Sequence, residues 1–365
     1  MPDDQSATDL TVPITGRRLT LPEGPIFTLR RAAECDYRIG EFRAWAGYKN
    51  FGSDEATADL AHFQHVLTFA PTETAGRTGV HAHLAHAHIV IPTSGRGVFS
   101  YDGVITPATP GMVIVQHGGT IHDQFQFSYA ADNDADNRLT PLSIESPPDG
   151  APVRSFGFLE LFVPLSFANV EIVPPAQVTA ADQASAWDHP YHLPGARFAA
   201  QHEGDPEAAY RPLADRPDLE VRDGGTWGPS AGLVATWIVR PRDVDAAGGP
   251  STSPAIPGEQ GGVEISYLVS GSARFRRDTG EEVLLAAGDT VTCRQGGLSL
   301  PFDASPDMRL LRFFIAARAQ NLRERTPDEI ARLEALGPRI ITCRQVRSES
   351  DARPVNALHD ERSPG

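Results

Sequence analysis

The chain has 365 residues, 40% hydrophobic and 22% charged, which is too long for one ordinary domain and too apolar for disorder; it suits two domains of about 150 residues each. A formal net charge of −15, with no compact Lys/Arg cluster to offset it, argues against a phosphate backbone or an anionic membrane surface as partner. Cys35, Cys293 and Cys343 are widely spaced and form no CxxC pair, so neither a disulfide framework nor a thiolate zinc site is indicated.

The first residues, 1–26, read as a polar tail. They hold no signal-peptide run, and nothing later reaches 18 consecutive apolar residues, so the expectation is a soluble, cytoplasmic protein. From 27 to 173, abundant Gly and Pro punctuate short apolar segments such as Gln64–Phe69, His88–Ile91, Gly111–Val115 and Gly157–Val163. That rhythm predicts many short strands joined by turns, as in a β-sandwich or barrel. Within this region, 131–152 is rich in Asp, Asn, Ser and Pro and reads as a long inserted loop.

The stretch 174–225 is rich in Ala, Pro and Asp without clear strand character and reads as an inter-domain connection. A second β region follows over 226–318, with Val263–Val269, Glu282–Ala286 and Leu310–Ile315 as its plainest strands. In the last segment, 319–365, Thr326 followed by Pro327, Asp328 and Glu329 predicts a helix start, and Ile330, Leu333 and Leu336 keep helical spacing up to Gly337-Pro338. This short helix is expected to be structural.

Eight of the 12 histidines lie between His62 and His122. His81 and His83 are two apart, so on a strand both leave the same face of the sheet. Leu84 to Ala87 is long enough to turn the chain, after which His88 opens Ile89-Val90-Ile91 on a neighbouring strand. Downstream, Gly111, an apolar strand and the Gly118-Gly119 turn can present His122 from a third direction. Four neutral nitrogen donors suit one divalent transition ion, Fe(II), Mn(II), Ni(II), Cu(II) or Zn(II), rather than Mg(II) or Ca(II). His88 is read as the fourth ligand or as a pocket histidine beside a three-histidine site, and His86 as a turn residue or an alternative ligand. Gln116, His117, Gln124 and Gln126 are candidates to line or brace the site, since metal-bound imidazoles donate their other N–H to nearby acceptors. His65 keeps phase with Phe63, Leu67 and Phe69; it faces either the barrel interior or a hydrogen-bonded core position. Tyr101 and Asp102, before Gly103, are assigned to a turn.

These spacings resemble the cupin superfamily. Its first motif has two histidines one residue apart, a Glu four or five residues on, and a Gly seven residues beyond; here His81, His83 and Gly95 match and His88 stands where the Glu would be. In its second motif Gly111, Gly119 and His122 match, while His117 replaces a Pro and Gln126 an Asn. Applied to the second β region, the same ruler finds Glu264 seven residues before Gly271, and Gly288-Asp289 followed by Ser299, with Pro257 and Glu259 where the paired histidines should be. The resemblance implies an all-β bicupin of two jelly-roll barrels, with metal in the first barrel only. Its plan is similar to gentisate- and salicylate-type ring-cleaving dioxygenases, which implies Fe(II), a small chelating substrate, O₂ and a homo-oligomer. Arg96 is the candidate to grip a substrate carboxylate. The alternatives are a non-oxidative isomerase, lyase or decarboxylase, and a small-molecule-binding cupin without catalysis.

Overall fold

The computed structural model describes residues 20–39, 46–68, 80–83, 85–101, 104–117, 120–128, 156–163, 168–173, 198–242, 261–321, 341–344 and 353–354. Their regular secondary structure is almost entirely strand, paired antiparallel, and it forms two double-sheet barrels. In the N-terminal barrel the chain passes back and forth between two sheets. His62–Thr68, Ala87–Ser94, Met112–His117 and Phe156–Val163 lie in an eight-stranded sheet, and Val80–His83, Arg96–Tyr101, Ile121–Ser128 and Ala168–Val173 in a six-stranded one. In the C-terminal barrel a seven-stranded sheet containing Val234–Pro241, Val263–Ser270, Thr290–Arg294 and Arg309–Ile315 is faced by the Ser272–Arg276/Glu282–Ala286 hairpin.

Strand alternation sorts the side chains into three cores. Val90, Ile114, Phe156 and Phe158 meet Phe99 and Tyr101 from the six-stranded sheet inside the N-terminal barrel. Leu268, Leu310 and Phe314 meet Phe275 and Leu285 inside the C-terminal one. The residues between them in sequence, such as Phe63, Ile89, Val115 and Leu161, point the other way and pack against Val263, Tyr267, Leu311 and Phe313, so the large sheets stand back to back. Phe63 lies edge-on to Phe313 at 5.4 Å between ring centroids. The near-continuous apolar strands of the sequence are thus explained: each large sheet is covered on both faces.

The motif glycines take the conformations their turns demand. Gly95 and Gly271 sit at φ 67° and 73° where the chain crosses from one sheet to the other, and Gly111 and Gly288 at 92° and 87°, all in the left-handed region that side chains avoid.

Several expectations need correction. Residues 174–225 are not strandless where described: Ala199–His202, Arg211–Leu213 and Arg216–Asp223 are strands. The last alternates buried Leu219 and Val221 with polar neighbours, a pattern hidden by its charges. Phe27–Arg30 does not join the barrel that follows it but pairs with Thr290–Cys293 of the C-terminal sheet. Asp289 anchors that crossing, accepting from Arg31 Nη1 at 2.7 Å and from the Ala32 amide at 2.9 Å. Conversely, Ala199–His202 extends the N-terminal sheet beyond Met112–His117. In the C-terminal tail Arg353–Pro354 pairs with Arg38–Ile39. The 131–152 loop and the 326–337 helix lie outside the described residues.

Candidate metal centre

His83 and His122 come from the six-stranded sheet, whose strands pair antiparallel with His122 opposite His81. His88 comes from the other sheet, in the same inward phase as Val90. The three meet inside the barrel, all buried, with one donor atom from each lying within 4.8 Å of the others. Donors on one ion at about 2.1 Å stand about 3 to 4 Å apart, so small ring rotations close the cluster around a cation. Phe162, directly opposite His88 in register, stacks on it at 4.1 Å and meets His83 edge-on at 5.0 Å, which restrains two of the three imidazoles. His122 donates from Nδ1 to the Thr120 carbonyl at 3.0 Å, and an imidazole held this way can bind a metal through Nε2.

A carboxylate stands beside this cluster. Glu160 Oε1 is 3.3 Å from His88 Nε2, at ion-pair distance but without hydrogen-bond alignment. Its Oε2 accepts from Gln64 Nε2 at 2.7 Å; Gln64 Oε1 is 3.0 Å from His62 Nε2, and His62 Nδ1 is 3.3 Å from Asp54 Oδ2. The result is a buried polar chain, Asp54 to His62 to Gln64 to Glu160, ending at His88.

The site fits a cation. Both ring nitrogens of His88 are buried without a hydrogen-bond partner, as are Tyr101 Oη, Gln116 Nε2 and Thr120 Oγ1. Leaving buried polar groups unpaired costs about 1–3 kcal/mol each, so so many beside one histidine cluster mark a place built for something else. Glu160 is likewise a largely buried carboxylate with no Lys or Arg partner in the described structure, and a metal ion would supply the missing positive charge. Tyr101, directly opposite His122, has its hydroxyl pKa held well above the usual range by burial and by the Glu160 charge, so it remains a donor.

Of the residues expected here, the structure brings together His83, His88 and His122, and sets Gln116 opposite His88 in register. His86 is exposed in the turn. His65 points away from the barrel interior, its Nδ1 hydrogen-bonded with Tyr37 Oη and its Nε2 with Thr93 Oγ1 at 2.8 Å. The side chains of His81, Arg96, His117, Gln124 and Gln126 lie outside the described residues. Tyr101 is not a turn residue but fully buried in the barrel, in phase with Phe99. Glu160, Gln64 and Phe162 were not anticipated. Only Tyr101 carried a sequence signal, its two-residue spacing from Phe99.

The second barrel repeats the layout with different chemistry. Glu264 and Phe314 are paired as His88 and Phe162 are, and Arg312 lies opposite Ser266 as Glu160 lies opposite Val90. Arg312 donates from Nε to Glu264 Oε1 at 3.0 Å and from Nη2 to the same oxygen and to the Leu298 carbonyl. A guanidinium thus neutralises the carboxylate that stands at the motif position. Ser299, at the motif histidine position, is used locally, accepting from the Arg276 amide at 2.9 Å and donating to the Leu300 carbonyl. Pro257 and Glu259 lie outside the described residues.

No family model and no curated protein matches the chain. Among solved structures it is similar to the HEPD of Streptomyces albus with 2-hydroxyethylphosphonate and Fe(II) bound, at 12% identity and TM-score 0.48, covering 86% of this chain and 79% of that one. It is also similar to oxalate decarboxylase from Bacillus subtilis, at 13% identity and TM-score 0.44 over 79% and 76%. A third is procruciferin, an 11S globulin of Brassica napus, at 10% identity and TM-score 0.46 over 80% and 85%.

Proposed function

We propose that the chain is a metal-dependent dioxygenase that cleaves a carbon–carbon bond of a small chelating substrate: phenolic, hydroxy-aromatic or enolisable. The observation that carries this reading is the buried convergence of His83, His88 and His122 beside unpaired donors and one carboxylate. In this reading those three histidines and His81 hold one divalent ion, with Fe(II) first. Bound there by neutral nitrogens, the ion supplies Lewis acidity and electron transfer between an oxygen-chelating organic substrate and O₂. Tyr101 Oη and Gln116 Nε2 are donors for substrate oxygens. Phe162, Phe99 and Phe158 line the interior with apolar surface and keep bulk water out.

The same convergence of histidines also fits a second reading, a non-oxidative isomerase, lyase or decarboxylase, in which the ion would act as a Lewis acid on an enolisable carbonyl. Oxygen uptake by Fe(II)-loaded protein across a panel of dihydroxy-aromatics, hydroxybenzoates and β-dicarbonyls separates the two. Turnover coupled one-to-one to O₂ supports the first reading, and equal turnover under anaerobic conditions refutes it. Homo-oligomerisation and a cytoplasmic location belong to the same proposal; no helix among the described residues is long and apolar enough to cross a membrane.

A further inference from the structure

We infer that Glu160, reaching His88 from the adjacent strand, acts through that histidine as its positioning residue. The inference rests on the metal-site reading above. Its first support is the register shared by the two barrels. In each, an inward residue at the end of one strand faces a phenylalanine across the sheet, His88–Phe162 and Glu264–Phe314. Two residues earlier on the phenylalanine strand comes a charged side chain that reaches back to the first residue. It is Glu160 toward His88 in one barrel and Arg312 toward Glu264 in the other. The pair of positions is the same and the placement of the acid is reversed. In the C-terminal barrel the acid sits at the motif position and a cation answers it. In the N-terminal barrel the imidazole sits there and the acid answers from across the sheet.

The second support is how Glu160 is held. It does not join the group of donors that could share one ion, which comprises His83, His88 and His122 alone among the described residues. It stands behind His88, 3.3 Å from Nε2, while Gln64, His62 and Asp54 fix its other oxygen from the far side. Gln64 lies opposite Glu160 in register and His62 opposite Phe162, so the supporting chain is built on a third strand of the same sheet. A carboxylate that accepts the ring N–H of a ligating histidine sets its tautomer and plane and raises its basicity. Among the described residues neither ring nitrogen of His88 has a hydrogen-bond partner. A hydrogen bond from Nε2 to Glu160 would leave Nδ1 as the nitrogen available to an ion.

The test is Co(II) titration of chelator-stripped protein, read by visible absorption and by affinity, for the wild type, Glu160→Ala, Glu160→Gln, His88→Ala and the His88→Ala/Glu160→Ala double variant. The expected result is one Co(II) per wild-type chain, about 10- to 100-fold weaker binding with a changed absorption band for Glu160→Ala, and partial recovery in the isosteric Glu160→Gln. Because Glu160 acts through His88, the double variant should bind no more weakly than His88→Ala alone. Additive losses in the double variant would overturn the positioning role, as would Glu160→Ala binding Co(II) with wild-type affinity and spectrum. If Glu160→Ala does not fold, Glu160→Gln decides, an unchanged affinity and band counting against the inference. Failure of the wild type to bind Co(II) would instead remove the metal-site reading itself.

Discussion

Replacing Arg312 by Met probes the buried ion pair of the second barrel. Arg312 and Glu264 are both almost wholly buried, and the guanidinium donates twice to Glu264 Oε1 while a third hydrogen bond at 3.0 Å ties it to the Leu298 carbonyl. Without it the carboxylate keeps only the Ser266 hydroxyl, at 2.9 Å on the same oxygen, and its Oε2 already has no partner. Removing one member of a buried pair costs about 3–5 kcal/mol, because an uncompensated charge is left in a dry core. Removing both members with matched apolar side chains costs far less. The assay is urea unfolding followed by tryptophan fluorescence. Trp237 sits opposite Arg312 in register and packs on Phe314 at 4.7 Å, so it reports on this core. Arg312→Met should lose about 3–5 kcal/mol, and Arg312→Met/Glu264→Leu should regain most of it. Arg312→Met costing under about 1 kcal/mol, or a double variant worse than the single one, would refute the view that the pair exists to neutralise the motif carboxylate.

Three further outcomes follow from the geometry. Tyr101→Phe removes a buried hydroxyl that has no partner, so the metal-free protein should be as stable or up to about 1–3 kcal/mol more stable; a loss above about 1 kcal/mol in thermal unfolding would mean the hydroxyl is bonded within the fold. His65 is held neutral between Tyr37 and Thr93, its pKa lowered to about 3 by burial and then by the Lys49 charge. The unfolded chain therefore takes up the proton first, and stability should be flat above about pH 6.5 and fall by up to about 1.4 kcal/mol per unit below it, a slope that His65→Phe should reduce in acid-side urea titrations. Gly271→Ala places a Cβ 2.4 Å from Ser305 Oγ and 2.8 Å from the Met308 backbone at φ 73°, whereas Gly280→Ala, at φ 86°, meets nothing within 4 Å. The first should destabilise by about 1–3 kcal/mol more than the second, and equal losses would deny the close approach at Gly271.

Much of this was legible in the sequence where the signal is local. The spacing of His83, His88 and His122 and the glycines at 95, 111, 271 and 288 mark turns and strand starts, and the structure uses them so. Strand partners were not legible, because alternation tells which residues share a face but not which distant strand lies alongside. Phe27–Arg30 therefore read as the start of the nearest barrel, although its partner lies some 260 residues on. Glu160 was hidden for the same reason: it belongs to the site only because Phe156–Val163 inserts between the strands of His88 and Gln64. His65 faces outward and His62 inward, since a sheet buried on both faces gives an apolar phase on each side and Phe63 marks the outer one.

The most direct measurement of the central claim is elemental analysis of purified protein reconstituted with Fe(II), Mn(II) or Zn(II), beside His88→Ala and His122→Ala variants. The account predicts one ion per wild-type chain, none held by His122→Ala, and at most weakly held metal in His88→Ala. Stoichiometric metal surviving both substitutions would contradict it.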